Sequence, residues 1–250
     1  MHQASISRPK QHLPSIRERF FECCPAGDSD RPYDCAMTDP RQMGAPSGFH
    51  DDRPLERDDL LPDPIEQFRR WLADAETAGV ALPNAMAVAT ADADGRPSVR
   101  HVLLRGIDER GFQFFTNRQS RKGRQLAENP WAGLVFLWKE LDRQVSVTGP
   151  IQTLPDRESD AYFAARPRDA QLGAWASAQS SVIEGREVLD DAVAQAEARF
   201  PGEVPRPPHW GGYVLEPHTI EFWQGRRHRL HDRCEFTAEP EGWRIDRLAP

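Results

Sequence analysis

The sequence lacks the features that would place it among membrane, disulfide-rich or zinc-binding proteins. None of its apolar runs approaches the roughly 20 residues that span a bilayer. The N-terminus has no apolar core of a secretory signal. The 4 cysteines form no CxxC pair with zinc-like spacing. We therefore expect a cytoplasmic protein with no membrane partner, no metal and no disulfide framework.

Common catalytic signatures are also absent. The sequence contains no GxGxxG fingerprint, P-loop, HExxH zinc motif or GxSxG nucleophile elbow. Its net charge of -7 argues against general binding to a nucleic-acid backbone, although it does not exclude a local basic site. Since little conventional nucleophile or acid–base machinery remains, the sequence favours an enzyme whose cofactor performs the chemistry.

Proline is concentrated at the start of the chain. The first 64 residues hold 9 of the 22 prolines, and the apolar residues there follow no helical or strand period. We expect residues 1–60 to form a mostly disordered extension and residues 61–250 to form one domain. Met37 and Met43 lie within that extension, which raises the hypothesis of a later translation start. Mass spectrometry of the native N-terminus tests it.

The rest of the chain reads as short strands with a few helices. Asp63 before Pro64 predicts an N-cap followed by proline at the first position of a helix that runs to about Ala78. Strand patterns cover 85–91, 98–105, 112–116, 133–138, 143–153, 212–215, 219–223, 229–237 and 243–248, and helical patterns cover 121–128, 155–165 and 183–200. This order predicts a mainly β (α+β) fold, an antiparallel barrel with peripheral helices.

Basic and polar residues gather in four clusters. Residues 100–105 form a strand with arginine at each end, and 116–122 bring hydroxyls and cations to a helix start, which favours phosphate. A third cluster covers 162–181. The fourth covers 221–233 and, as one extended strand, would place Trp223, Arg227, Arg229, His231 and Arg233 on one face. Taken singly, each cluster also fits solvated or ion-paired arginines and core aromatic residues.

Together the clusters resemble the pyridoxamine 5'-phosphate oxidase family. The resemblance runs from about Leu60 to Pro250 and includes RxVLLR at 100–105, FFTNxxSRK at 114–122, RQVxVxG at 143–149, RPRDAQLGAWAS at 166–177, QSS at 179–181, WGGY at 210–213, EFWQG at 221–225, HRLHDR at 228–233 and RLAP at 247–250. It implies an antiparallel FMN-binding split β-barrel that forms a homodimer, with the flavin at the subunit interface.

The resemblance also implies roles for individual residues. FMN would be contacted by Arg100, Val102, Leu103, Arg105, Phe115, Thr116, Arg121, Lys122, Gln144, Gln179, Ser180, Trp223 and Arg233, with Gln179 and Ser180 reaching across from the partner subunit. The substrate phosphate would be held by Arg105, Tyr162 and Arg166. Arg229 and His231 would cover the substrate ring as the catalytic pair. Arg105 stands where the family often has lysine, and Ala170 where it often has serine.

The implied reaction is the oxidation of pyridoxamine or pyridoxine 5'-phosphate to pyridoxal 5'-phosphate, in vitamin B6 biosynthesis or salvage. Dioxygen would accept the electrons and give hydrogen peroxide, and the amine substrate would also release ammonia. Two alternatives stay open. One is a related flavin oxidase that acts on dihydrophenazine precursors, and the other is a non-catalytic carrier of FMN or pyridoxal phosphate. A nucleic-acid partner is not expected, because the basic groups are dispersed in an acidic chain.

Overall fold

The computed structural model describes residues 53–250. The predicted disorder of the extension and the later start therefore fall mainly outside the described residues. Within 53–250, no helix combines the length and the apolar composition that a membrane span requires.

Within residues 53–250, five α-helices lie around a sheet. They are α1 (Pro64–Thr77), α2 (Arg121–Glu128), α3 (Asp156–Ala164), α4 (Arg168–Ala176) and α5 (Glu187–Arg199), with short 3₁₀ helices at Arg57–Asp59, Lys139–Leu141 and Arg227–Arg229. The predicted start of α1 is confirmed, because the Asp63 side chain accepts a hydrogen bond from the Ile65 N–H at 2.8 Å and Pro64 is the first helical residue.

The described part of the chain also contains ten strands, which form an antiparallel sheet. They are β1 (Ala85–Ala91), β2 (Pro97–Leu103), β3 (Gly106–Asp108), β4 (Gly111–Asn117), β5 (Trp131–Trp138), β6 (Arg143–Thr153), β7 (Trp210–Leu215), β8 (Thr219–Gln224), β9 (Asp232–Glu239) and β10 (Gly242–Arg247). The main order is β10-β9-β8-β6-β5-β1-β2, and β7 joins β4 to β6.

The long strand β6 curls the sheet into a half-barrel. Its residues 143–148 pair with β8, whereas its residues 151–153 pair with β7. Gly149 and Pro150 lie at this change of partner. A Cβ on Gly149 would collide with the backbone of Glu216, so only glycine fits where the strands approach. The predicted mainly β fold with peripheral helices is confirmed.

The core fills the inside of the curl. Alternate residues of the strands point inward, and α1 packs against them with Phe68 and Trp71, which are 0% and 2% exposed. The Phe68 ring lies 4.9 Å from that of Phe112 and 4.8 Å from that of Phe136. Loss of one such fully buried phenylalanine side chain costs about 3–5 kcal/mol.

The predicted continuous strand from Trp223 to Arg233 is wrong. Strand β8 ends at Gln224, a 3₁₀ turn follows, and β9 begins at Asp232. His228 and Arg229 have positive φ values of 58° and 60°, a left-handed conformation that costs non-glycine residues about 1–2 kcal/mol each. Trp223 and Arg233 do share a face, but because they lie opposite each other in the β8–β9 hairpin.

Other differences from the predictions concern two strands, two helices and the domain boundary. Strand β2 ends at Leu103 rather than at residue 105, and β3 was not predicted. Helix α4 was not predicted, and α5 begins at Glu187 rather than at residue 183. Leu55 and Leu60 are 6% and 8% exposed and belong to the main core. The packed unit therefore begins before residue 61, where the sequence placed the domain boundary.

Candidate functional site

A cavity of about 460 Å³ is lined by residues of β2, β4 and β7, of α2, α3 and α4, and of the segment after α4. Such a volume lies within the usual range of small-molecule sites. The structure brings to it these predicted site residues: Val102, Leu103, Arg105, Phe115, Thr116, Lys122, Tyr162, Arg166 and Gln179. Ala170 also lines it. Residues predicted for the flavin and residues predicted for the substrate phosphate therefore meet in one cavity.

A second cavity, of about 370 Å³, shares Lys122 and Gln179 with the first. Arg100, Arg121 and Ser180 also line it. The two cavities thus hold twelve of the predicted site residues on either side of a common wall.

Lys122 forms the centre of this wall. Ser120 caps α2 by accepting a hydrogen bond from the Gly123 N–H at 3.3 Å, which fixes the first helical turn and the lysine within it. The Lys122 amine lies 3.0 Å from the Thr116 hydroxyl and 2.9 Å from the Gln179 carbonyl oxygen. Burial, and next the charge of Arg100, lowers the pKa of Lys122 to about 8.

Arg100 is held by oxygen atoms of two strands. Its guanidinium donates to the Thr90 hydroxyl at 2.7 Å, to the Ser98 hydroxyl at 2.6 Å and to the Val88 carbonyl at 3.2 Å. Burial, and next the charge of Arg121, lowers the pKa of Arg100. All three acceptors are uncharged, so they orient the guanidinium but do not neutralise its positive charge.

The floor of the larger cavity is a stack of aromatic rings. Phe115 lies 4.0 Å from Tyr162 with a 14° interplanar angle and 5.6 Å from Trp210 with a 13° angle. Gly212 pairs with Phe115 across β4 and β7, and a Cβ there would lie 2.7 Å from the Phe115 ring. The glycine therefore allows the ring to lie flat over the strand.

Arg166 places a positive charge beside this aromatic stack. Its guanidinium carbon lies 4.6 Å from the centre of the Trp210 ring, a cation–π contact. Its Nη1 is buried without a hydrogen-bond partner among the described residues. Burial lowers the pKa of Arg166, Tyr162 opposes this effect, and Arg105 adds to it.

The cations of the two cavities share one electrostatic property. None of these five cations forms an ion pair with a carboxylate of the described residues. They are Arg100, Arg105, Arg121, Lys122 and Arg166. Unneutralised, partly buried cations beside flat aromatic rings suit ligands that combine a phosphate with a planar ring.

Gln179, for which the resemblance implies contact with the flavin of a partner subunit, lies beside Lys122 in the single chain. Its side chain contacts Thr116 and Lys122 of its own chain. The segment after α4 turns back at Ser180, where φ is 74°. This local turn keeps Gln179 against the wall of its own cavity.

The other predicted residues lie on a separate surface. Gln144, Trp223 and Arg233 form one row across β6, β8 and β9, and the rings of Trp223 and His231 are 4.5 Å apart. Arg229 lies in the turn of the same hairpin. None of these five residues lines either cavity. A single chain therefore does not bring the predicted catalytic pair to the phosphate-binding residues.

Hydrogen bonds orient the hairpin side chains. The Arg226 N–H donates to Nδ1 of His231 at 3.1 Å, so the neutral imidazole carries its proton on Nε2. Burial, and next the charge of Arg229, lowers the pKa of His231, whereas Asp232 opposes this effect. Arg233 forms a bidentate pair with Glu221 at 2.7 and 2.9 Å.

Sequence reasoning missed Trp210, which is 6% exposed and lines the cavity below Arg166. Its signal was the WGGY segment, in which two glycines beside a tryptophan indicate close packing of rings over a strand. Residues 53–250 contain no group of three or more His, Cys, Asp or Glu side chains that could hold a metal ion.

Comparison with known proteins gives a consistent picture. The sequence matches the pyridoxamine 5'-phosphate oxidase family profile over residues 72–200 and the profile of the pyridoxine 5'-phosphate oxidase C-terminal dimerisation region over residues 210–250. A pyridoxine/pyridoxamine 5'-phosphate oxidase of Cupriavidus necator is 55% identical over 197 residues, which cover 78% of this chain and 93% of that protein. One from Salinibacter ruber is 54% identical over 200 residues, with the same two coverages.

Solved structures agree with this match. PhzG from Burkholderia lata 383, in complex with tetrahydrophenazine-1-carboxylic acid, has a TM-score of 0.76 and 38% identity, covering 81% of this chain and 100% of that one. A pyridoxamine 5'-phosphate oxidase-related, FMN binding protein from Nostoc punctiforme shares the fold, with a TM-score of 0.59 and 18% identity over 73% of this chain and 97% of that one. The chain thus belongs to the pyridoxamine 5'-phosphate oxidase family.

Proposed function

We propose that the protein is a cytoplasmic FMN-dependent oxidase that converts pyridoxamine 5'-phosphate and pyridoxine 5'-phosphate to pyridoxal 5'-phosphate. The observation that carries the proposal is the convergence of five cations, which have no carboxylate partner within residues 53–250, on a floor of stacked aromatic rings. The names of relatives more than half identical in sequence support the same substrates.

The wall between the cavities suits the phosphate of FMN. Arg100, Arg121 and Lys122 would bind it, with hydroxyls of Thr116 and Ser180 beside them. Val102, Leu103 and Phe115 would line the ring system. When bound, FMN would supply the hydride acceptor, and dioxygen would take up two electrons and two protons to give hydrogen peroxide.

The substrate phosphate suits the opposite side of the larger cavity. Arg105 and Arg166 would provide the charge. The buried Nη1 of Arg166 has no hydrogen-bond partner in the described part of the chain, and an anionic oxygen would supply one. Tyr162 would contribute its hydroxyl, since its ring is held against Phe115. These residues bind and orient, which is the main task of a protein whose cofactor reacts.

A second copy of the chain would complete the site. The β8–β9 hairpin that carries Trp223, Arg229 and His231 lies within the matched dimerisation region, 210–250. Large apolar side chains are also exposed on β5 and in the turn before β1, including Leu137 at 62% and Leu82 at 65%. Such surface is typical of a subunit interface. We propose a homodimer in which each hairpin covers the partner's cavity.

Arg229 would act as the clamp on the substrate ring. It lies exposed in the hairpin turn, and no described residue pairs with its guanidinium. His231 would position the reacting group through its Nε2–H, since Nδ1 already accepts a hydrogen bond. Gln144, Trp223 and Arg233 would contact the flavin ring from the same side.

The similarity to PhzG supports a second candidate, an oxidase that acts on a reduced phenazine precursor. The structure in complex with tetrahydrophenazine-1-carboxylic acid is 38% identical to this chain, below the 55% of the Cupriavidus relative. A phenazine carboxylate carries no phosphate, so the cluster of Arg105, Tyr162 and Arg166 favours the phosphorylated vitamers.

Flavin content and peroxide formation test the proposal. The purified protein should be yellow, or become so with FMN, and should form peroxide with pyridoxine 5'-phosphate far faster than with unphosphorylated pyridoxine. A colourless protein that stays inactive after FMN is added would refute the oxidase. A yellow protein without peroxide would indicate a carrier, and turnover only of a dihydrophenazine would indicate the second candidate.

A variant pair tests the role of Arg229. Arg229→Ala should lower turnover by about 100-fold, because a ring displaced by about 1 Å loses that much, and it should keep bound FMN. Arg227→Ala removes the same charge from the same turn and serves as the matched control. Equal turnover of the two variants would remove Arg229 from the mechanism.

A further inference from the structure

Asp232, the first residue of β9, joins three distant parts of the chain. Its Oδ2 accepts hydrogen bonds from the Leu55 N–H at 3.1 Å and from Arg226 Nη1 at 3.2 Å. Its Oδ1 accepts one from Arg247 Nη1 at 2.7 Å. The side chain is only 14% exposed, so these charged hydrogen bonds are partly shielded from water.

The contact with Leu55 anchors Asp232 to the core. The Leu55 carbonyl accepts a hydrogen bond from Arg247 Nη2 at 2.8 Å, while its N–H donates to Asp232. The ion pair of Asp232 and Arg247 therefore holds both backbone polar groups of Leu55. The Leu55 side chain is 6% exposed and belongs to the main core.

The contact with Arg226 links the anchored Asp232 side chain to the hairpin turn. Arg226 is bound to Asp232 through its guanidinium and to His231 through its N–H. The N–H fixes which imidazole nitrogen carries the proton, so Asp232 acts on His231 through Arg226. Asp232 also follows His231 directly in the chain.

The turn itself requires such support. His228 and Arg229 both adopt positive φ values, which L side chains rarely do, and neither is glycine. A conformation of this kind persists only where the surroundings determine it. On the β8 side, the Gly225 N–H donates to the Asp142 carbonyl at 2.7 Å. On the β9 side, Asp232 is the anchored residue.

We propose that Asp232 is a positioning residue of the oxidase site, which holds turn 225–231 in the conformation that presents Arg229 and His231. The inference rests on the proposed function only for the roles of those two residues. Asp232 itself contacts neither substrate nor cofactor. Its loss should therefore impair turnover more than FMN binding, because the cations proposed for the FMN phosphate line the two cavities and not the turn.

Asp232→Asn tests the proposal, because it keeps the size and removes the charge. Asp246→Asn is the matched control: Asp246 pairs with Arg244 at 2.7 Å on the neighbouring strand, away from the turn. In the FMN-loaded protein, Asp232→Asn should lower kcat for pyridoxine 5'-phosphate by about 10- to 100-fold. The Kd for FMN should change by less than about 3-fold, and Asp246→Asn should match the wild type.

Nitrogen-15 spectra of the histidine rings give a readout independent of turnover. The wild type should show His231 as a single tautomer with the proton on Nε2, and Asp232→Asn should show a mixture. A His231→Gln spectrum assigns the signal. Should the wild type fail to oxidise the vitamers, the proposed function falls, and the spectra still decide whether Asp232 orders His231.

Arg226→Gln provides a second variant in case Asp232→Asn does not fold. It removes the link to the turn but leaves the Leu55 and Arg247 contacts of Asp232 in place. In this variant His231 should be a mixture of both tautomers, and kcat should fall as it does in Asp232→Asn. The proposal is overturned if both variants show the same histidine spectra and the same kcat as the wild type. A loss of activity that only follows a fall in thermal stability and FMN content would also overturn it.

Discussion

Lys122→Met is expected to stabilise the cofactor-free protein while weakening its affinity for FMN. The Lys122 side chain is 7% exposed, and its amine contacts only uncharged oxygens, those of Thr116, Ser120 and Gln179. Burial and Arg100 lower its pKa to about 8. At pH 7 the folded chain therefore keeps a buried ammonium that no described carboxylate balances, whereas methionine fills similar space without a charge.

The size of the effect follows from the pKa. A decrease from 10.5 to about 8 corresponds to roughly 3 kcal/mol at ~1.36 kcal/mol per pH unit. Hydrogen bonds lost by Thr116 and Gln179 offset about half of this. The free energy of unfolding should rise by about 1–2 kcal/mol, which raises the Tm by about 2–8 °C for a domain of this size.

The gain in unfolding free energy from Lys122→Met should decrease as the pH rises. Between pH 8 and 10.5 the unfolded chain still binds the proton that folded Lys122 has released. The contribution of Lys122 to stability therefore rises with pH through this window. The advantage of Lys122→Met should be largest at pH 7 and should shrink as the pH approaches 10.

Binding of FMN should change in the opposite sense. Loss of a charged hydrogen bond costs about 1.5–3 kcal/mol, so the Kd for FMN should rise by about 10- to 150-fold. Thermal unfolding of the cofactor-free protein at pH 7 and 10, with a flavin titration at pH 7, measures both effects. Lys139→Met, at a lysine whose side chain is 80% exposed, is the control. A variant less stable than the wild type at pH 7, or a gain independent of pH, would refute the reasoning.

Three further changes test the packing and the site. Gly212→Ala should destabilise the protein by about 1–3 kcal/mol in thermal unfolding, because its Cβ would lie 2.6 Å from Leu154; Gly202→Ala, with nothing within 4 Å, should not. A chain that begins at residue 61 should be about 2–4 kcal/mol less stable than one that begins at Arg53, since it loses two buried leucines; equal denaturation midpoints would contradict this. Ala170→Ser should lower the KM for pyridoxine 5'-phosphate about 5-fold through one added hydrogen bond. An equal change for unphosphorylated pyridoxine would argue against contact with phosphate.

Local patterns predicted the elements in which one face is buried. Strand β1 and helix α2 have the predicted bounds, because their apolar alternation and the Ser120 cap are visible in the sequence. Helix α4 was missed because Leu172 is its one buried residue, so it shows no clear apolar face. The turn at His228 and Arg229 was missed because left-handed residues are usually glycine, and neither is.

The site was predictable as a set of residues but not as an arrangement. Motifs singled out Lys122 and Arg166 as well as Arg229, but spacing along the chain does not tell which of them share a cavity. That depends on β6 curling the sheet, which brings β4 beside β7 and leaves the β8–β9 hairpin elsewhere. The contact of Gln179 with its own chain depends on a single turn at Ser180. The role of Asp232 depends on Leu55, which lies 177 positions away.

The unneutralised cations lie in a chain whose net charge is -7, and this has a consequence for association kinetics. At low ionic strength the field of the whole molecule extends far into solution and repels a phosphate dianion, while the local cations act only at close range. At physiological ionic strength the Debye length is about 8 Å, so the distant repulsion is screened first. The association rate of phosphorylated ligands should then stay level or rise as salt is added, opposite to the decrease seen where opposite net charges steer two molecules together.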